Sequence, residues 1–316
     1  AAIATGGCTE ELQPQTCGTN GTVPDESELT EAVLNLSVNA FVVEAQAETR
    51  ASIPSGTPEK ETPEEKEIHN IWVFQYDAAT KELLIKPRYY TITDQAMLQD
   101  LPVYLKAGVP SVVYVVTNTG YDNWANDGTD ASWQKFKQLE QLKKQTLPTA
   151  FPLRSIDKVS IPMAGASEEV EVTTGITVTV PVTRMYAKLK VKVEMRKAEM
   201  ELNNVNVRQI PNICRVETLA GDGKGEPMEP VPFPDETTFS SIAFAASDLE
   251  KNEDKEWAVF YVPENLQGET QTQGGNKSDA APSNALVVDI TTEIGGERYL
   301  YAAYPGGNSL NNFNIQ

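Results

Sequence analysis

The segment VLNLSVNAFVV, residues 33–43, decides how the first part of this chain folds. Side chains of a β-strand alternate between its two faces, so apolar residues at every second position indicate a strand with one buried face. Apolar residues occupy alternate positions throughout this segment: Leu34, Leu36, Val38, Ala40 and Val42. The polar side chains of Asn35, Ser37 and Asn39 lie between them. The pattern therefore predicts a long strand that covers a hydrophobic core.

The segments on both sides of this strand have no periodic pattern. Residues 9–30 are polar, acidic and rich in Pro, Gly and Thr, and residues 45–67 contain three prolines. Both segments are therefore predicted to be exposed loops or tethers. Arg50 lies in the second loop and is the first basic residue of the chain, since the next is Lys60. It is either a solvated loop arginine or the one position before Lys60 at which a trypsin-like protease could cut.

Composition and charge exclude several classes of function. The 316 residues suit two domains, and 26 Lys and Arg against 45 Asp and Glu give a net charge of −19. This charge repels nucleic-acid phosphates, so we expect no nucleic-acid partner. The single histidine, His69, and the three cysteines do not form a zinc-binding pattern or a clear catalytic triad. We therefore expect no enzyme activity, no catalytic residues, no metal and no cofactor.

Two groups of acidic residues have alternative interpretations. Residues 122–130 (DNWANDGTD) could hold calcium, but a turn and a helix cap explain Asp127, Gly128 and Asp130 equally well. The Glu64/Glu65 pair lies in a predicted loop, where solvated carboxylates are the default expectation.

Most of the remaining chain is predicted to form strands. Apolar, β-branched and aromatic runs bounded by Pro, Gly and polar segments predict strands at residues 71–77, 82–93, 101–107, 111–118, 201–210, 257–262, 284–291 and 298–304. Residues 183–195 (TRMYAKLKVKVEM) alternate between an apolar face that includes Ala187, Leu189 and Val191 and a solvated lysine face. Residues 129–145 are the one predicted helix, capped by Asp130, with an aromatic stripe that contacts the core. The pattern is typical of a mainly β protein with two antiparallel β-sandwich domains in series, divided near residues 175–182.

Several segments, in order, resemble a known family. SVVYVVTNTG (111–120), IPMAG (161–165), the strand entry at 182–193, FYVPENLQG (260–268) and YPGGNSLNNFNIQ (304–316) are similar to the fimbrillins of Bacteroidales type V pili. The resemblance implies a lipoprotein leader and tether at 1–30, followed by transthyretin-like β-sandwich domains at 31–178 and 179–316. Family members commonly continue with another strand after a stretch like NNFNIQ, so no donor segment is assigned in this chain.

The resemblance also implies a route to the cell surface and a mode of assembly. Cys8 matches the lipidated, palmitate-bearing cysteine, although Thr5 stands where the family usually has a large aliphatic residue. Lipid on Cys8 would hold the precursor in the outer membrane. An arginine-directed protease would then cut between Arg50 and Ala51 and remove the first strand with its Leu34, Leu36, Val38, Ala40 and Val42 side chains. A donor strand from a neighbouring pilin subunit would fill the groove.

The expected function is a structural or adhesive subunit of a surface fimbrium. Its expected partners are other pilin subunits, outer-membrane lipid and the processing protease. The first alternative is a surface lipoprotein that binds glycans or proteins and never polymerises. The second is a hydrolase that uses two close carboxylates.

Overall fold

The computed structural model describes residues 29–38, 63–120, 122–126, 129–148, 161–193, 195, 197–217, 231–252, 255–268 and 281–305. These residues confirm a mainly β protein. The strands of the first part are β1 Leu29–Val38, β2 Asn70–Asp77, β3 Arg88–Thr91, β4 Leu101–Lys106, β5 Pro110–Thr117, β6 Thr146–Pro148, β7 Met163–Ala166, β8 Val170–Glu171 and β9 Thr177–Arg184. Those of the second part are β10 Tyr186–Val193, β11 Met200–Pro211, β12 Ile213–Arg215, β13 Phe239–Ala245, β14 Glu250–Asn252, β15 Lys255–Pro263, β16 Val287–Ile294 and β17 Glu297–Ala303.

The first sheet wraps around its own hydrophobic core. Its strand order is β3-β2-β5-β7-β9-β1-β4, with β8 beside β5. Inward side chains of β1, β2, β4, β5 and β9 form one buried cluster. All strand pairs of this sheet are antiparallel except β1 and β9, which run parallel and so depart from the antiparallel prediction.

A close approach of backbones fixes the position of β9 in this sheet. A Cβ atom on Gly165 of β7 would lie 1.8 Å from the carbonyl oxygen of Pro181 on β9. Only glycine permits this contact without a shift of the backbone. The glycine of the IPMAG motif therefore brings β9 against β7.

The second half has two facing sheets around a separate core. One sheet has the order β10-β15-β14, and the other has the order β13-β11-β16-β17. Buried side chains of both sheets, such as Val205, Val207, Phe260 and Val262, form this core. A short 3-10 helix at Ala246–Asp248 connects β13 in one sheet to β14 in the other.

A third buried cluster joins the two halves. It contains Trp72, Phe74 and Tyr114 from the outer face of β2 and β5, together with Tyr186 and Tyr261 from the second half. Two short helices, α1 (Asp130–Gln134) and α2 (Leu139–Lys143), pack against it. Trp133 and Phe136 are buried here, which confirms that the aromatic stripe contacts the core.

The single helix predicted at 129–145 is wrong, because the structure divides this segment into α1 and α2. The backbone between the helices pairs with another segment: Leu83 N–H donates to Lys137 O, and Leu139 N–H donates to Lys81 O. This pairing holds Gln138 extended, where it caps α2. Asp130 is the first residue of α1 rather than its cap, which is Thr129.

The predicted strand at 82–93 is also too long. Its regular part is β3, and only two isolated bridges precede it, from Leu83 to Tyr76 and from Glu82 to Gln138. Pro87 lies directly before β3 and has no N–H to donate, so the ladder cannot run through it.

The change from the first sheet to the next occurs at Met185, between β9 and β10. The boundary predicted near residues 175–182 falls inside or just before β9. The division into two transthyretin-like domains stays a prediction.

Candidate functional site

The first strand occupies an interior slot of the first sheet. One edge of β1 pairs antiparallel with β4, from Leu29 opposite Lys106 to Leu34 opposite Leu101. Its other edge pairs parallel with β9, from Val33 opposite Thr177 to Val38 opposite Val182. An interior strand of this kind supplies hydrogen bonds to both neighbours, so its removal would leave two unpaired edges.

The apolar face of β1 forms part of the first core. Ala32, Leu34 and Leu36 are buried, and Leu29 and Val38 pack against the same cluster while partly exposed. This confirms the alternation predicted for the described part of the strand. Burial of each large aliphatic side chain contributes about 1.5–3 kcal/mol, so β1 contributes both hydrogen bonds and apolar contact to the first half.

Backbone hydrogen bonds also connect β1 to the turn that precedes β9. Val33 N–H donates to Ile176 O at 2.8 Å, and Gly175 N–H donates to Glu31 O at 2.9 Å. These bonds join β1 to the turn before β9. The strand begins at Leu29, four residues before the predicted start, because its pairing with β4 extends the ladder toward the N-terminus as far as Leu29 opposite Lys106.

The chain that follows the predicted cleavage point is anchored at Glu65. This side chain is fully buried, its Oε1 lies 2.7 Å from Lys188 Nζ, and Tyr261 O–H donates to it at 2.6 Å. Arg184 Nε–H donates to the backbone carbonyl of Glu65 at 3.0 Å. Glu65 therefore holds the 3-10 helix Pro63–Lys66 against β9, β10 and β15.

Two expectations from the sequence are corrected here. Glu65 is a buried partner in an ion pair rather than a solvated carboxylate. Lys188 is mostly buried against it, so the lysine face of β10 is not uniformly solvated, whereas Lys190 is exposed. No local sequence signal marks Glu65, because its partners are more than a hundred residues away.

Several predicted site residues lie outside the described part of the chain: Cys8, Ala40, Val42, Arg50 and Ala51. The same holds for Asp127 and Gly128 of the possible calcium loop. Lipidation, processing and strand exchange at these positions stay predictions.

The described residues that could support catalysis are separated or buried. His69 is half exposed, and its Nε2 lies 3.5 Å from Glu67 Oε2. Burial raises the pKa of the Cys214 thiol to about 12, which keeps it protonated at neutral pH. Within the described ranges, no three His, Cys, Asp or Glu side chains are grouped to hold a metal ion, and no helix is long and apolar enough to cross a membrane.

The burial of Leu34 gives a direct test of the slot. Leu34→Ala is expected to lower the free energy of unfolding by about 2–5 kcal/mol, because it removes apolar contact and leaves a cavity. Ser37→Ala, on the exposed face of the same strand, is the matched control and should change it by less than about 0.5 kcal/mol. Urea denaturation measures both, and equal effects would contradict the assignment of the two faces.

The Glu65 anchor can be tested by a double-mutant cycle. Glu65→Gln leaves the mostly buried Lys188 ammonium without its carboxylate partner, so a loss of about 3 kcal/mol in unfolding free energy is expected. Glu65→Gln combined with Lys188→Met should recover more than half of this loss, since both charges are then gone. Additive losses in the double variant would show that the ion pair does not couple the two positions.

Comparison with known proteins gives one partial family match. Residues 260–316 match the model of a family described as a domain of unknown function, DUF4906. This region contains the YVPENLQG and YPGGN segments. No curated protein sequence matches the chain.

Three of the solved structures that match this chain are described as fimbrial proteins. The tip fimbrial protein Mfa3 from Porphyromonas gingivalis, solved with a C-terminal truncation, is 14% identical, with a TM-score of 0.52 and 91% of each chain covered. A fimbrial assembly protein from Parabacteroides distasonis is 15% identical, with a TM-score of 0.44 and 87% of this chain and 85% of that chain covered. The fimbrial anchor protein Mfa2 from Porphyromonas gingivalis is 11% identical, with a TM-score of 0.39 and 83% and 78% covered.

At these identities the likeness to Mfa3 establishes the fold and no more. The resemblance to the fimbrillins is thus confirmed at the level of the fold: this chain folds like a tip fimbrial protein.

Proposed function

We propose that this protein is a non-enzymatic structural or adhesive subunit of a bacterial surface fimbrium, assembled by strand exchange. The observation that carries the proposal is the place of β1 between β4 and β9, with both of its edges paired. The fold shared with a tip fimbrial protein supports the same assignment.

The slot suits strand exchange because a replacement strand can restore both the backbone hydrogen bonds and the apolar core contacts that β1 makes. Loss of β1 would unpair β4 and β9 and expose the side of the core that Ala32, Leu34 and Leu36 cover. An extended strand from another subunit would satisfy both edges and refill the core, as in β-strand addition. Before its release, β1 blocks this position and prevents premature assembly.

Release requires cleavage between β1 and the Glu65 anchor. Arg50 lies in the sequence between these two elements, so a cut after it would separate the strand from the rest of the subunit. The anchored 3-10 helix would then stay with the second half, and Ala51 would become the new N-terminus.

We further propose that the precursor reaches the outer membrane and cell surface as a lipoprotein through Cys8. Cleavage after Arg50 would release the subunit from that lipid, since Cys8 lies in the removed leader. Its partners would be other fimbrial subunits and the processing protease.

Limited digestion of the purified chain with an arginine-specific protease tests this function. The expected product begins at Ala51 and forms oligomers that persist in SDS, because exchanged strands are slow to dissociate. N-terminal sequencing, gel electrophoresis and size-exclusion chromatography measure the cut and the assembly. Five other arginines lie in strands, where folded backbone resists cleavage: Arg88, Arg184, Arg208, Arg215 and Arg298.

Arg50→Gln should abolish both the cut and the oligomers. Arg154→Gln is the matched control, since it removes another arginine outside the described residues, and it should leave both unchanged. A trimmed product that begins at Ala51 but stays monomeric, or simply unfolds, would contradict assembly by strand exchange.

A further inference from the structure

We infer that the side chains of Gln75, Tyr90 and Gln95 hold β4 in position independently of β1, so that this wall of the slot stays in place when β1 leaves. The inference rests on the proposed function, because it concerns the site that an incoming strand would enter. It makes these three side chains positioning residues for strand exchange.

The two edges of β4 have different partners. Consecutive residues of a strand point their N–H and C=O groups to opposite edges. Val33 of β1 donates to Ile176 beside β9, so the next residue, Leu34, points its polar backbone groups toward β4. Leu101 lies opposite Leu34, so Leu101 and every second residue after it face β1. The remaining residues of β4 face the other edge, called the outer edge here: Pro102, Tyr104 and Lys106.

Side chains of β2 and β3 bind the outer edge of β4. The Gln75 Oε1 accepts from Lys106 N–H at 2.7 Å, and the Gln75 Nε2–H donates to Lys106 O at 2.9 Å. The Tyr90 hydroxyl accepts from Tyr104 N–H at 3.3 Å. Pro102 has no N–H, so every N–H group that β4 presents on this edge has a partner.

The Gln75 amide is itself fixed by its surroundings. Gln75 is fully buried, and its Nε2–H also donates to Ser111 Oγ at 2.9 Å. The Ser111 hydroxyl in turn donates to Val109 O at 2.7 Å. Because an unsatisfied buried amide is costly, these bonds favour a single orientation of the side chain. Gln75 therefore pairs with Lys106 much as a short piece of strand would, and it fixes the end of β4.

The start of β4 is fixed through the 3-10 helix Gln95–Gln99, which leads into it. The Gln95 Oε1 accepts from Ile68 N–H at 2.9 Å, and the Gln95 Nε2–H donates to Ile68 O at 2.8 Å. Ile68 is fully buried and lies three residues after Glu65. The anchored segment that begins the body of the subunit thus supports the helix before β4, and β1 takes no part in these bonds.

These contacts leave an incoming strand one edge of β4 to pair with. When β1 leaves, the edge that faced it loses its ladder, while the outer edge keeps its side-chain partners. A wall that stays in place lowers the cost of strand entry, since less backbone has to be ordered at that moment. The occupied outer edge also disfavours the addition of a strand on that side. The incoming strand is thereby directed into the slot.

Hydrogen exchange at single-residue resolution tests this inference in the full, uncleaved chain. Leu34→Ala weakens β1 and raises the fraction of molecules in which it is detached. The Val103 and Leu105 amides, which face β1, should then exchange at least about tenfold faster, whereas the Tyr104 and Lys106 amides should change by less than about twofold. Equal acceleration of all four amides would overturn the inference, because β4 would then detach together with β1.

A conservative variant assigns the bond in the middle of the outer edge. Tyr90→Phe removes only the hydroxyl that accepts from Tyr104. Combined with Leu34→Ala, it should raise exchange at Tyr104 to the rate of the amides that face β1, while Lys106 stays protected by Gln75. Continued protection of Tyr104 in this double variant would overturn the role of Tyr90.

A second variant assigns the bond at the end of the outer edge. Gln75→Met combined with Leu34→Ala should raise exchange at Lys106 in the same way. Gln99→Met is the matched control, since it makes the same change at an exposed glutamine, and it should leave this amide protected. Continued protection of Lys106 in the Gln75→Met variant would overturn the role of Gln75.

The rate of assembly after cleavage separates this inference from the proposed function. Chains that carry both Tyr90→Phe and Gln75→Met should be cut after Arg50 as fast as the unaltered chain but form SDS-resistant oligomers about tenfold more slowly, because a mobile wall must be ordered as the strand enters. Assembly at the unaltered rate would overturn the inference and leave strand exchange intact. Absence of assembly by the unaltered chain would instead contradict the proposed function, and the exchange rates of the uncleaved chain would still decide the inference.

Discussion

β1 joins β4 to β9 through a different ladder on each edge, since residues 29–34 pair with β4 and residues 33–38 pair with β9. The rest of the first half depends on it, because β1 links β4 to the remainder of the sheet and covers the core with Ala32, Leu34 and Leu36. Removal of β1 would leave backbone groups of β4 and β9 unpaired and part of the core uncovered. A replacement would have to be another extended strand with apolar side chains on one face.

The parts of the fold that would have to survive such a loss are fixed independently. Gly165 allows β7 to approach β9 closely, so β9 keeps one partner when its other edge is open. The Glu65 side chain contacts Lys188 and Tyr261 and so holds the 3-10 helix Pro63–Lys66 against the second half. β1 takes no part in these contacts. β4 therefore depends on β1 for its backbone pairing in the sheet, whereas β7, β9 and the Glu65 contacts do not.

Sequence periodicity predicted the elements whose faces differ in polarity. The alternation at 33–38 and at 187–193 places side chains as the structure does, since each strand has one face on a core. The overlong strand predicted at 82–93 reflects a local effect of Pro87, whereas non-local pairing explains the errors at 129–145 and at Glu65. Residues 81–83 interrupt the predicted helix at 137–139, and Glu65 is buried by Tyr261, 196 residues away in sequence.

The most direct test of the account is the structure of the polymer assembled after cleavage at Arg50, determined by electron cryomicroscopy. The account predicts that a strand of another subunit lies between β4 and β9, with apolar side chains at the positions of Leu34 and Leu36. A polymer in which β1 of the same subunit still fills this slot, or in which β4 and β9 close on each other, would contradict it.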